Sequence, residues 1–179
     1  MLRDKGVVEF VEAARLVKVR HPAIRFQLLG QLGVANRTAI LREQVEGWVV
    51  EGVVEYLGET DNVAPYIANA DCIVLPSYRE GISRILLEAS AMARPIVATD
   101  VTGCREVVDD GETGYLCKVK DPMDLADKLE LVLSLSSEQR AEMGRKGREK
   151  MRREFDEQIV IRRYLEVISE IVNPNEEAV

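Results

Sequence analysis

Apolar positions recur along the chain at two alternating periods. Val7, Val8, Phe10, Val11, Ala14, Leu16 and Val17 fall at helical spacing and predict a helix to about Arg20, stopped by Pro22. Residues 24–29 form a short apolar run that ends at Gly30 and reads as a strand. A second helix is predicted over residues 35–50, ending near Gly52. Val53, Val54 and Tyr56 predict another strand, closed by Leu57 and Gly58. A brief helix over residues 63–68 follows, with Asp61 and Asn62 as caps and Pro65 in its first turn.

Cys72, Ile73, Val74 and Leu75 are continuously apolar, which reads as a strand buried on both faces. Ile82, Ile85, Leu86, Ala89 and Met92 predict a helix over residues 81–93. Pro95 then opens a buried strand over residues 96–99. Val107-Val108 and Tyr115-Leu116-Cys117 flank a turn at Asp109-Asp110-Gly111. Beyond Asp121-Pro122 three helices are expected, over residues 123–135, 137–155 and 156–172. Residues 1–172 therefore read as one domain and residues 173–179 as a frayed tail. Strands alternating with helices imply an α/β fold: a three-layer α/β/α, Rossmann-like doubly wound parallel sheet with C-terminal helices.

Such a sheet binds ligands at the C-terminal ends of its strands. That rule selects the loops at residues 30–35, 58–62, 76–81 and 100–105. In the third loop Glu80 and Gly81 stand where a strand meets a helix. The amides of Gly81, Ile82 and Ser83 would face the ligand side, where free N–H groups and the helix dipole attract phosphate or hydroxyl oxygens. Glu88 follows two turns later. On one helix the two carboxylates would be roughly 10–12 Å apart. That is too far for a retaining hydrolase pair, which needs about 5–5.5 Å. It suits two anchors on one extended ligand, each carboxylate accepting vicinal hydroxyls. The plainer reading keeps Glu80 as a helix-start acid and Glu88 as a solvated helix position.

Lys5 opposes the dipole of the helix that begins after Gly6, and such local disfavour can mark a site. An exposed terminal lysine is the alternative. Gly103, within Thr102-Gly103-Cys104-Arg105-Glu106, allows close backbone approach; a simple turn is its alternative. Cys104 has no nearby histidine to activate it. His21, beside Pro22, reads as a loop residue.

Charge and composition narrow the functional classes. The chain has 179 residues, enough for a self-supporting core. Its net charge of −7 argues against a nucleic-acid partner. No apolar run approaches the ~20 residues of a membrane span, and no signal peptide is evident. Cys72, Cys104 and Cys117 lack C-x-x-C spacing, so neither zinc nor a disulfide framework is expected and a cytoplasmic setting is the default. Seven cations and two acids lie between Arg140 and Arg153. That basic stretch could meet a membrane surface or a partner domain, or form a solvated helix face.

The ordered set of motifs resembles the C-terminal half of a group 1 (family 4) retaining glycosyltransferase of the GT-B fold. The resemblance rests on Lys5-Gly6, on Glu80 to Glu88 as an E-x7-E motif, on Pro95-Ile96-Val97-Ala98-Thr99, and on Gly111-Glu112-Thr113-Gly114-Tyr115. It covers about residues 1–170. It implies a nucleotide-diphosphate sugar as donor, with no cofactor and no metal. Lys5 would bind the diphosphate, and Glu80, the catalytic candidate, would contact the transferred sugar. Gly81, Ile82 and Ser83 would hold oxygens through their amides, and Glu88 would accept both ribose hydroxyls. Loops after Gly30 and Gly58 would border the base, with Arg3 and Gly103 as further candidates. The family's N-terminal acceptor domain and the first strand of this domain are absent from these residues. The chain therefore reads as part of a longer enzyme, with little or no turnover alone. Exposure of Ile159, Ile161, Leu165, Ile168 and Ile171 is expected on its last helix. Bacterial enzymes that extend polyprenyl-diphosphate-linked glycans, often from UDP-sugars, share the sequences around Glu80 and Gly103. A glycan or such a lipid-linked acceptor is then the expected partner, at the inner face of the membrane. A GT-B-type sugar-nucleotide epimerase and a non-catalytic nucleotide-sugar-binding module remain as alternatives.

Overall fold

The computed structural model describes residues 1–172; the expected frayed tail lies outside them. Five strands run in chain order among these residues: β1 (Gln27–Leu28), β2 (Glu55–Tyr56), β3 (Ile73–Leu75), β4 (Ile96–Thr99) and β5 (Gly114–Cys117). Eight helices accompany them: α1 (Val7–Arg20), α2 (Arg42–Val50), α3 (Ala64–Asn69), α4 (Arg84–Ala91), α5 (Thr102–Arg105), α6 (Pro122–Ser134), α7 (Ser137–Glu154) and α8 (Glu157–Val172). A 3-10 turn, Arg3–Lys5, precedes α1.

All strand pairs are parallel, as the alternation of elements predicts. The sheet is nonetheless split. β1 pairs only with β2, and β3-β4-β5 form a separate ladder. Between the two parts lies a cavity of about 1530 Å³, bordered by residues 24–29 and 72–76. This gap explains two departures from expectation. The apolar run at residues 24–29 gives only a two-residue strand, because one of its edges has no partner. β3 is half-buried rather than buried on both faces, for the same reason. β4, flanked on both edges, is buried throughout.

The side chains of β4 alternate between two apolar layers, as a pleated strand requires. Val97 joins α1, α2 and α6, with Cys117 from β5; Ile96 and Ala98 join α3, α4, α5 and α7. Helices therefore cover both faces. On the first, α1 packs against α6, and Phe10 meets Phe26 edge-on at 5.7 Å. On the second, α7 lies against α4. Gly144 permits this contact, since a methyl there would stand 2.0 Å from the Ala93 carbonyl oxygen.

Two predicted helix starts shift. α2 starts at Arg42 rather than at residue 35, because Asn36 folds the chain into a turn, its side chain accepting from the Thr38 amide at 2.8 Å. Ala39 then bridges antiparallel to Leu2. α4 starts at Arg84, so Glu80 lies in the loop before the helix and the single-helix spacing of Glu80 and Glu88 does not hold. Val107 and Val108 are buried but belong to no strand. Pro65 does open α3, where the Asn62 side chain accepts from the Ala64 amide at 3.2 Å. The basic stretch lies on α7, and three of its seven cations are paired: Arg145 with Glu142 and Glu149, Lys150 with Asp109, and Arg153 with Glu154. α8 has no buried residue, and its Ile159, Ile161, Leu165, Ile168 and Ile171 are exposed, as expected. No described helix is long and apolar enough to cross a membrane.

Candidate functional site

Residues 76–83 leave β3 and form the core of the site. Gly6 and Gly103 grip this loop from two sides. A Cβ at Gly6, whose φ is +69°, would meet the Pro76 carbonyl oxygen at 2.0 Å. A Cβ at Gly103 would meet the Gly81 carbonyl oxygen at 1.8 Å. The chain therefore needs glycine at both places for the 3-10 turn and α5 to approach the loop.

Hydrogen bonds fasten the same loop. The Tyr78 amide donates to the Asp4 carbonyl at 2.9 Å. The Tyr78 hydroxyl donates to Glu9 Oε1 at 2.6 Å, and Lys120 Nζ stands 4.6 Å above the Tyr78 ring. Desolvation, reinforced by Glu9, pushes the Tyr78 phenol up to about 12. The Thr99 hydroxyl, buried on β4, donates to the Ser77 carbonyl.

This scaffold brings Lys5 to Glu80. Lys5 Nζ lies 2.5 Å from Glu80 Oε1, with the lysine side chain 48% exposed and the carboxylate only 12%. A primary ammonium has three donors, so Lys5 can hold Glu80 and still offer hydrogens outward. Among the described residues, the amides of Gly81, Ile82 and Ser83 donate to no protein acceptor. Ser83 caps α4 in extended conformation, so these free N–H groups stand at a helix N-terminus. Fixed donors and one mobile cation there suit an anionic, oxygen-rich ligand.

Glu88 sits on α4 with its side chain 34% exposed, and Arg84 Nε donates to its Oε1 at 3.0 Å. Gly30 and Gly58 open the loops after β1 and β2 and meet directly, the Gly30 amide donating to the Gly58 carbonyl at 2.8 Å. The Tyr56 hydroxyl donates to the Gly30 carbonyl at 3.0 Å. Arg3 is held by its backbone amide to the Thr38 carbonyl at 2.7 Å. Burial pushes the Cys104 thiol up to about 11, which leaves little thiolate for nucleophilic chemistry at neutral pH. His21 caps the end of α1 and pairs with Glu130 at 2.8 Å.

Sequence reasoning missed the Tyr78–Glu9 anchor, the Arg84–Glu88 pair and the grip of Gly6. The Arg84–Glu88 spacing of four residues was the available signal. Nothing local in sequence points from Tyr78 to Glu9.

The parallel strands, the helices on both faces and this loop at the strand ends define an α/β domain of the doubly wound class. The model of the family glycosyl transferases group 1 matches residues 1–134, and the chain belongs to that family. A Campylobacter jejuni protein, N,N'-diacetylbacillosaminyl-diphospho-undecaprenol alpha-1,3-N-acetylgalactosaminyltransferase, is 31% identical over 171 residues, 96% of this chain and 43% of that protein. N-acetyl-alpha-D-glucosaminyl L-malate synthase of Bacillus anthracis is 36% identical over 115 residues, 64% of this chain and 30% of the other. The chain thus spans less than half the length of these relatives. The structure of a Staphylococcus aureus TarM mutant superposes with TM-score 0.78 at 27% identity, over 93% of this chain and 33% of TarM. A C-terminal domain of a group 1 glycosyl transferase (LpcC) from Francisella tularensis has the same fold, with TM-score 0.73 at 24% identity over 87% of this chain and 82% of that one.

Proposed function

We propose that this chain is the donor-binding half of a retaining glycosyltransferase that takes its sugar from a nucleotide-diphosphate donor, a UDP-sugar. The acceptor is a glycan or a polyprenyl-diphosphate-linked glycan, held by another domain. The observation that carries this reading is the Lys5–Glu80 pair beside the free amides at residues 81–83. One cation and three fixed dipoles meet a diphosphate's charge, and they need no reorganisation as charge develops on the leaving group. Glu80, held on its loop by Lys5, faces the transferred sugar near its reacting carbon. Glu88 accepts the two ribose hydroxyls once Arg84 gives way. The loops at Gly30 and Gly58 border the base, with Arg3 and Gly103 at the margins of the donor.

The relatives' names point the same way. The TarM mutant was solved with UDP and alpha-GlcNAc-glycerol, and an Anabaena protein of the same fold, HepE, with UDP-glucose. The Campylobacter relative's name specifies a diphospho-undecaprenol acceptor. Such an acceptor would bring the enzyme to the inner face of the membrane.

Calorimetric titration of the chain with UDP, GDP, ADP and UDP-N-acetylglucosamine tests the proposal. UDP is expected to bind, and Glu88→Ala to abolish that binding. Failure of all four nucleotides, or a Glu88→Ala variant that binds as well as the parent, would overturn it.

A further inference from the structure

Two unfavourable features converge on one side chain of the site loop, Tyr78. Glu9, in the first turn of α1, accepts from the Tyr78 hydroxyl through Oε1 at 2.6 Å, yet its Oε2 is buried with no hydrogen-bond partner among the described residues. A buried acceptor left unpaired costs stability. Lys120 is held in the left-handed region, at φ +59°, which a residue with a side chain enters only at a cost. Its ammonium stands 4.6 Å from the centre of the Tyr78 ring. Local rules broken together at one place mark a functional constraint rather than a packing one.

Tyr78 stands just before Arg79 and Glu80, and its amide donates to the carbonyl of Asp4, the residue before Lys5, at 2.9 Å. Lys5 and Glu80 therefore meet beside a backbone hydrogen bond. The lysine holds the carboxylate only while no anion claims it. Once Lys5 turns its hydrogens to a diphosphate, Glu80 keeps the position that its own loop imposes. Arg79 is exposed and stands 3.9 Å from Asp4, beyond hydrogen-bond distance. Tyr78 is thus the side chain nearest to Glu80 that ties this loop to the rest of the fold by a hydrogen bond. From these contacts we propose that Tyr78 is a positioning residue: its hydroxyl, held by Glu9, fixes the loop so that the Glu80 carboxylate meets the transferred sugar of a nucleotide-diphosphate sugar. This role rests on the proposed function, in which Glu80 faces the sugar while Lys5 and Glu88 hold the nucleotide. Tyr78 and Glu9 then serve recognition of the sugar and not of UDP. Desolvation, reinforced by Glu9, keeps the phenol protonated to about 12, so the bond is made throughout the neutral range.

Calorimetric titrations with UDP, UDP-glucose, UDP-N-acetylglucosamine and UDP-N-acetylgalactosamine test this role. The readout is the ratio of UDP-sugar to UDP affinity, for the UDP-sugar that the parent chain binds best. Tyr78→Phe keeps the ring beside Lys120 and loses only the hydroxyl. It should lower that ratio about fivefold, as the loss of one hydrogen bond does, and leave UDP affinity within about twofold. Glu9→Ala should do the same. Glu9→Gln keeps an oxygen that accepts from the phenol and should hold the ratio within about twofold of the parent's. A merely structural strap would weaken all ligands together and follow the unfolding midpoint, so midpoints are measured on the same preparations. An unchanged ratio in Tyr78→Phe, a parallel loss of UDP and UDP-sugar affinity, or a Glu9→Gln variant as impaired as Glu9→Ala would overturn the proposal. A parent that binds no UDP, or binds it equally well with Glu88→Ala, overturns the proposed function and the role of Tyr78 with it. A parent that binds UDP through Glu88, with a ratio indifferent to Tyr78, overturns the role of Tyr78 alone.

Discussion

Gly103 and Lys5 act on the same loop from opposite directions, one by having no side chain and the other by reaching across with a long one. A methyl at Gly103 would lie 1.8 Å from one carbonyl oxygen and 2.7 Å from the next, both backbone atoms of residues 80–81. Neither can rotate away, so the loop itself must move. Gly103→Ala is expected to cost about 1–3 kcal/mol of stability, as overpacking does, and to weaken UDP binding with it. Thermal unfolding and calorimetry on the same preparation check both effects. Lys5→Ala makes no such clash, because the lysine is half exposed. It should leave the unfolding midpoint within a few degrees while weakening UDP by about 1.5–3 kcal/mol, the worth of a hydrogen bond to a charged group. Unchanged UDP affinity in Lys5→Ala would remove this lysine from the donor site.

Among the elements, two helix glycines separate what sequence can tell from what it cannot. Gly47 in α2 has open space around it, whereas Gly144 in α7 faces the Ala93 carbonyl oxygen at 2.0 Å. Propensity favours alanine at both by about 1 kcal/mol. Gly47→Ala should therefore raise stability by about that amount, and Gly144→Ala should lower it; urea unfolding of the two variants gives both signs. The same division runs through the whole reading. α1, α6, α7 and α8 were legible because long apolar periodicity and caps such as Ser136 and Asp121 are local signals. The start of α2 was not: the Asn36 turn carries a local signal in its Asn-x-Thr sequence, but the Ala39–Leu2 bridge that follows it depends on a segment 37 residues away. The apolar run at residues 24–29 is extended as its sequence predicts, but its ladder is only two residues long, since among the described residues β1 pairs on one edge alone. In the site, Lys5, Glu80 and Glu88 carry recognisable spacing. The Tyr78–Glu9 bond, between residues 69 apart, carries none.

For the molecule as a whole, buried protonated groups set a ceiling on the pH at which it stays folded. Burial pushes the thiols of Cys104 and Cys117 up to about 11 and about 12, and desolvation with Glu9 does the same for Tyr78, to about 12. In the unfolded chain these groups return to about 8.5 for a thiol and about 10 for a phenol. A folded pKa above the unfolded one means that the folded state holds its proton longer. The stabilisation is complete below the unfolded value and drains away as pH rises towards the folded one. The chain should accordingly keep a flat unfolding midpoint up to about pH 8.5. It should then lose on the order of 1–2 kcal/mol per buried thiol by pH 10, and Tyr78 should add to the slope above that. The neutral, buried thiols should also resist a thiol reagent at pH 8 until denaturant is added. Cys104→Ala with Cys117→Ala separates this account from a general alkaline weakening of surface ion pairs. That double variant starts less stable, because two buried side chains are truncated, yet its midpoint should fall more gently between pH 8.5 and 10 than the parent's. Parallel curves for the two proteins would mean that the loss does not come from these two thiols; Cys72 and Tyr78, each pushed up to about 12, are present in both.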